Sequence, residues 1–423
     1  MRSPDRGTVH VIGAGLAGLA AAVALAGTHR AIVVHEANAQ AGGRCRSYHD
    51  QSTGMLIDNG THLLLSANTA ALTFVKTIGA ERELEGPGRA EFPFVNMASK
   101  ERWTLRFGDS RIPWWVFDRG RRVPHSKPAD YLPAARLAWS FADRPMGAIL
   151  DCAGPVYEGL IKPFLLAALN IDPREGSARL AGAVIRESLA RGGKACVPLL
   201  ARDGIGNALV EPAVRYLRER GITVSMQEEL TAMSFSARSV SQLDFTTRPV
   251  PLAGNDVVIL AVPAYAAAAL VPGLSAPTAF RGIVNAHFRI DPPADLPPML
   301  GVVNGTCEWI FAHAGRISVT ISDAQRFFDM PRAELASIIW RDVAAITDLP
   351  VTVPPCQIVR ERRATFAATP EQNALRPLAE TAWDNLFLAG DWTATALPAT
   401  LEGAIRSGNR AADLAAQRLR TVA

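Results

Sequence analysis

Lysine disappears from this chain after position 194, and nothing from 195 to 423 restores it. Chemistry borne by a lysine amine is thereby excluded from the second half. Cysteine is scarce as well: Cys45, Cys152, Cys196, Cys307 and Cys356 are odd in number and far apart. With no CxxC pair and no Cys/His cluster at ligand spacing, no metal site is expected, and buried thiols in a reducing cytoplasm are. Charge of one sign is missing too, since 44 basic against 40 acidic residues leave +4, no case for nucleic acid. No run of about 18 apolar residues is present to span a membrane. Glycines from Gly13 to Gly18 would interrupt the apolar core of a signal peptide, so none is expected. What is present is 48% hydrophobic and 20% charged over 423 residues, a globular chain long enough for two or three domains.

Residues 8–12 read as a strand, 15–26 as an Ala/Leu-rich helix and 31–34 as a second strand, a βαβ unit. Gly13, Gly15 and Gly18 stand where a phosphate turn needs them. The first permits the tight turn, the second lets pyrophosphate approach the backbone, and the third lets helix and strand pack closely. The helix beginning near Gly15, with Leu16 and Ala17 in its first turn, points free N–H groups at the phosphates. Glu36, followed by Ala37, ends the second strand, where a carboxylate accepts from ribose hydroxyls. A glycine-rich helix start serving packing alone leaves Glu36 unexplained.

Further on, Gly42-Gly43-Arg44 combines close backbone approach with a guanidinium suited to phosphate charge. The polar cluster Asp58-Asn59-Gly60-Thr61-His62 lies between apolar runs and, taken alone, reads equally as a surface turn. At the far end Leu386–Asp391 is again a buried strand ending in a turn, with Asp391 placed for ribityl hydroxyls. Pro398 is expected to open a helix carrying Leu401 and Ile405, whose dipole favours the negative charge of a reduced flavin. A dinucleotide site assembled from both chain ends predicts FAD. Nothing marks Cys45 as a linker and no cysteine lies near Gly390, so attachment is expected to be non-covalent. Between the ends, 151–190 is helical and apolar, 204–220 helical, 222–262 alternating, 283–321 a series of short strands and 331–347 helical.

Together GAGLAGL (13–19), Glu36-Ala37, Gly42-Gly43-Arg44 and Ala389-Gly390-Asp391 resemble the FAD-dependent amine oxidase/phytoene desaturase superfamily. Within it, Ile57–Leu65, Lys162–Asn170 and Gly390–Gly408 resemble the hydroxysqualene dehydroxylase family of bacterial hopanoid biosynthesis. Thr61 departs from the usual Gln, and Ser66-Ala67-Asn68 from a Gly-Ala-Tyr-like continuation. The resemblance implies an α/β fold: a discontinuous Rossmann-like FAD domain of glutathione-reductase type (1–70, 195–282 and 370–423). An α+β substrate domain with a mixed sheet (71–194 and 283–369) is inserted in it. Cofactor contacts are expected at Gly13, Gly15, Leu16, Ala17, Gly18, Glu36, Ala37, Gly43, Arg44, Asn59, Gly60, Thr61 and Leu230. At the other end they are expected at Gly390, Asp391, Leu397, Pro398, Ala399 and Thr400.

The implied reaction is reductive loss of the allylic hydroxyl of hydroxysqualene to give squalene, with hydride from reduced flavin N5 and a transient external electron donor. Its candidate proton donors are His62, Asp58 and Glu402, although His62 suits orienting the flavin as well and Asp58 suits capping a turn. A carotenoid-type desaturase and a non-catalytic flavin-binding lipid carrier are the rival readings. A flavin amine oxidase is disfavoured by the missing lysine. A long isoprenoid substrate calls for apolar walls, for which 163–169 and the aromatic stretch 103–117 are candidates. Ile112–Phe117 with Arg119, Arg121, Arg122 and Lys127 joins interfacial aromatics to cations, so peripheral contact with the cytoplasmic membrane face is expected.

Overall fold

The computed structural model describes residues 7–28, 30–139 and 143–421. Strand Thr8–Ile12 lies at the centre of a five-stranded parallel sheet, between Ala31–His35 and Val257–Leu260. Thr223–Ser225 and Leu386–Leu388 form its edges, so the sheet draws on both ends and the middle of the chain. Val257–Leu260 is buried at every position, as a parallel strand covered on both faces must be. Helix Leu16–Leu25 is buried on nearly all sides, and the long C-terminal helix Leu401–Thr421 packs on it. Their approach needs Gly408, where a Cβ would stand 2.2 Å from the Ala17 carbonyl oxygen.

A second, mixed sheet of seven strands runs in the order Cys356–Phe366, Phe280–Arg289, Arg316–Ile321, Trp309–His313, Met299–Val303, Glu91–Asn96, Arg102–Arg106. Phe280–Arg289 crosses the expected domain limit at 282. On one face Val284, Ala286 and Phe288 pack against helix Arg332–Thr347, with the Phe288 and Trp340 rings 4.9 Å apart. The other face of the same strand carries Asn285, His287 and Arg289, turned toward the nucleotide half. Helices Lys162–Leu169 and Ala178–Glu187 close the far side of the apolar core.

One expectation is corrected here. Pro398 does not open the last helix, which begins at Leu401. Thr400 caps it instead, its hydroxyl accepting from Gly403 N at 3.1 Å, and a side-chain cap of this kind sets the helix start more firmly than a proline upstream.

Candidate active site

The two sheets enclose a cavity of about 720 Å³. It runs from Glu36 and Leu230, past Gly15 and Arg44, to Phe164 and Phe280. At the first end the three glycines separate into two kinds. A Cβ on Gly13 would stand 2.6 Å from the Ala261 carbonyl oxygen, and one on Gly18 only 1.9 Å from the Gly13 oxygen. These two are small because the protein is packed against them, and Gly13 also takes φ +103°. A Cβ on Gly15 would meet nothing within 4 Å. The space beside Gly15, at the uncapped start of helix Leu16–Leu25, is open to the cavity and suits a phosphate. Glu36 accepts from Ala14 N (2.8 Å) and from Asn38 N (2.9 Å), which fixes its carboxylate at the cavity wall with lone pairs to spare.

An ion pair ties the arginine turn to the C-terminal turn at the cavity. Arg44 Nη2 lies 2.7 Å from Asp391 Oδ1, and Arg44 also donates to the Ala364 carbonyl. Burial disfavours the guanidinium charge, but Asp391 more than offsets this and the pKa of Arg44 is raised. Beneath the turn, buried Arg376 donates to the Asp391 and Thr393 carbonyls and to the Thr395 hydroxyl, holding 391–395 in place. Burial pushes the Cys45 thiol up to about 12, which leaves it inert as a nucleophile at neutral pH.

The segment Asp58–His62 is held from behind. Asp58 Oδ1 accepts from the Ser47 hydroxyl (2.5 Å) and from Ile205 N (2.9 Å), and Asn59 Nδ2 donates to Glu361 (3.1 Å). Two polar atoms at its far end, Thr61 Oγ1 and His62 Nδ1, are buried without a hydrogen-bond partner, and both residues line the cavity. Unpaired polar atoms are costly unless something in the cavity meets them. Burial is the largest influence on His62 and lowers its pKa, so its imidazole is neutral at pH 7.

Of the expected cofactor contacts and proton donors, all border this cavity except Gly18 and Asp58; of the expected apolar walls, Phe164, Ala167 and Ala168 border it, whereas no residue of 103–117 does. Asp58 is corrected as a proton donor: its carboxylate faces away from the cavity and ties the 46–58 hairpin to residue 205. Glu402 borders the cavity, but its carboxylate accepts from Ala70 N (3.1 Å) and Ala71 N (2.9 Å) and pairs with Arg406. It anchors the start of helix Thr69–Thr77, so the proton-donor role is corrected for it too. Sequence reasoning missed Asn285, His287 and Thr320. Polar residues alternating with apolar ones along a strand read as a solvent face, and nothing local reveals that another segment covers it.

The profile of the flavin containing amine oxidoreductase family matches residues 16–416. The hydroxysqualene dehydroxylase of Sinorhizobium fredii is 54% identical over 407 residues, covering 96% of this chain and 98% of that protein. The chain belongs to this family, in its hydroxysqualene dehydroxylase group. A second relative of this flavin-dependent oxidoreductase, the hydroxysqualene dehydroxylase of Rhodopseudomonas palustris, is 54% identical over 408 residues, 96% of this chain and 98% of that one. Among solved structures, cyclohexylamine oxidase from Brevibacterium oxydans superposes with a TM-score of 0.71 at 16% identity, over 98% of this chain and all of that one. That likeness carries the fold. No described helix of the flavin oxidoreductase is long and apolar enough to cross a membrane.

Proposed function

We propose that this flavin oxidoreductase binds one FAD non-covalently and reductively removes the allylic hydroxyl of hydroxysqualene, giving squalene. Among the described residues, segments 7–70, 195–279 and 370–421 make up its nucleotide half, the limit standing before strand Phe280–Arg289 rather than within it. One observation carries the reading: a single cavity joins a phosphate-ready glycine turn to a long apolar wall, on which, among the described residues, the fully buried polar atoms without a partner are those of Thr61 and His62. The names of relatives at 54% identity support the substrate class. Bound in reduced form, the flavin supplies a hydride, which with one proton replaces a C–OH bond by C–H and releases water.

The chain's own residues do the rest. Phe164, Ala167, Phe280 and Ile283 line the wall and exclude water, and each buried methylene of the substrate contributes roughly 0.8 kcal/mol. Gly15, Glu36 and Leu230 would hold the adenosine diphosphate end, with Arg44 and Asp391 beyond them. His62 donates the proton to the departing hydroxyl from its minor, protonated form. A lowered pKa makes its protonated form the stronger acid, so turnover is expected to fall as pH rises through the His62 pKa, below about 6.5. Two electrons per turnover come from an external donor that docks transiently.

The same reading places the substrate's source at a lipid surface. Trp115 is buried against Phe107 and Tyr131, whereas Trp114 and Phe117 are 62% and 66% exposed. Ile112, Leu132 and Trp139 are exposed apolar residues of the same part of the chain, and the cations Arg119 and Lys127 within it are exposed as well. Binding of wild type to anionic liposomes, with loss on Trp114→Ser/Phe117→Ser, is the expected outcome. Equal sedimentation of both proteins contradicts the docking.

The reaction is tested by anaerobic incubation of the chemically reduced protein with hydroxysqualene, followed by mass spectrometry of the lipid extract. Loss of one oxygen with conversion to squalene is expected. Recovery of the alcohol unchanged, or of a product with added double bonds, contradicts the proposal.

A further inference from the structure

The polar face of strand Phe280–Arg289 forms a ladder with its antiparallel neighbour Arg316–Ile321, and every rung reaches toward the segment 53–61. Asn285 faces Thr320, His287 faces Ser318 and Arg289 faces Arg316 across the pair. Arg316 donates to the Leu56 carbonyl and Arg289 to the Thr53 carbonyl. His287 Nε2 donates to the Asp58 carbonyl at 3.0 Å, which leaves Nδ1 to accept from the Ser318 hydroxyl at 2.9 Å. The last rung is the one nearest the cavity.

Asn285 is 1% exposed and its amide has one possible orientation. Oδ1 accepts from the Thr320 hydroxyl (2.8 Å) and from Thr61 N (3.4 Å), and Nδ2 donates to the Asn59 carbonyl (3.3 Å). The side chain therefore behaves like a neighbouring strand, closing the turn Asn59-Gly60-Thr61 from the substrate side. The turn is also tight against the imidazole, since a Cβ on Gly60 would stand 3.3 Å from His62 Cε1 and 3.6 Å from Asn285 Nδ2. Asn285 and His287 thus engage the backbone behind the turn, and the two buried polar atoms at its cavity end without a partner, Thr61 Oγ1 and His62 Nδ1, belong to residues that line the cavity.

We infer that Asn285, oriented by its cross-strand partner Thr320, is a positioning residue that sets how Thr61 and His62 are presented to the reacting centre. The inference rests on the proposed role of that turn in the reaction. Misplacing a reacting group by about 1 Å costs on the order of 100-fold in rate. Asn285→Leu, of similar volume without the hydrogen bonds, is expected to lower kcat about 100-fold, with KM and bound flavin changed by no more than about twofold. Asn285→Asp keeps both acceptor roles but sets an oxygen against the Asn59 carbonyl, and about a tenfold loss is expected. Thr320→Val removes only the bond that orients the amide, and Thr320→Ser restores it. Loss in the first and recovery in the second are expected, and this pair decides the matter should Asn285→Leu fail to fold.

The readout that packing alone does not move is the imidazole of His62, observed by 15N NMR in each folded variant without substrate. Its resonances are expected to shift in Asn285→Leu and Thr320→Val and to return in Thr320→Ser. Unmoved resonances with wild-type kcat overturn the inference, as does a loss of activity wholly accounted for by lost flavin. If His62→Ala keeps full turnover while Asn285→Leu does not, the proton-donor role of His62 fails and the positioning holds for Thr61.

Discussion

The two turns that bring polar groups to the cavity, 13–18 and 58–62, are built on opposite plans. The first is held by close packing of backbone on backbone. Gly13 is packed against Ala261 and Gly18 against Gly13 so tightly that no side chain fits, and Ala14 N donates to Glu36. The second is held by others: Ser47, Asn285, His287, Ile205 and Glu361 come from four other parts of the chain to fix five residues. A turn held by backbone packing writes its requirements into its own residues, as glycines at the points of contact. A turn held by partners looks, in its own residues, like any loop.

The sharpest way to break this comparison is to make the same change at two glycines. Gly18→Ala places a Cβ 1.9 Å from a backbone oxygen and is expected to destabilise by about 3 kcal/mol or more, with bound flavin lost. Gly15→Ala enters open space and is expected to leave the flavin-free protein's stability within about 0.5 kcal/mol while weakening flavin binding. Thermal melts of the flavin-free proteins, with a flavin titration of each, give both numbers. Equal destabilisation by the two would dissolve the distinction.

At the second turn, Asp58→Ala strands the Ser47 hydroxyl and Ile205 N–H in the interior, and a loss of about 2–3 kcal/mol in urea unfolding is expected. Asp58→Asn keeps an acceptor there and should cost less. A full loss of turnover in a stable, flavin-loaded Asp58→Asn would instead return Asp58 to the chemistry.

The response to acid is a further test. Burial pushes the His287 pKa down to about 3, while an unfolded imidazole titrates near 6.5. Between those values only the unfolded chain takes the proton, so the stability is complete above about 6.5 and is lost as pH falls, by about 2 kcal/mol at pH 5. His10 and His313, each lowered to about 4 chiefly by burial, act in the same direction. Urea midpoints measured from pH 7.5 to 5 should fall steadily, and a flat profile would show that these imidazoles are not held neutral.

A smaller effect is expected of Glu402→Gln, about 1 kcal/mol, because the amide oxygen still meets Ala70 or Ala71 N while the charge at the helix start and the ion pair with Arg406 are lost. A collapse of turnover without loss of stability would contradict the anchoring role.

This contrast also accounts for what could be read from sequence. The βαβ unit, the returning C-terminal strand and helix, and the flavin class were legible because their signals are local: glycine spacing, an acid at a strand end, a buried run ending in a turn. The helix start at Leu401 was misplaced because proline and threonine both mark helix beginnings, and geometry favours the Thr400 cap. Glu402 and Asp58 look like acids awaiting a task, and only the tertiary fold shows that backbone N–H groups far along the chain already occupy them. Asn285 and His287 were hidden by their regular alternation, which a solvent-facing strand would display just as well.

The most direct test of the account is the stoichiometry and identity of the flavin released when the purified chain is denatured. One FAD per chain, freed by acid without proteolysis, is the predicted result. A folded, colourless protein that takes up no added FAD would contradict the convergence of the two chain ends on a dinucleotide.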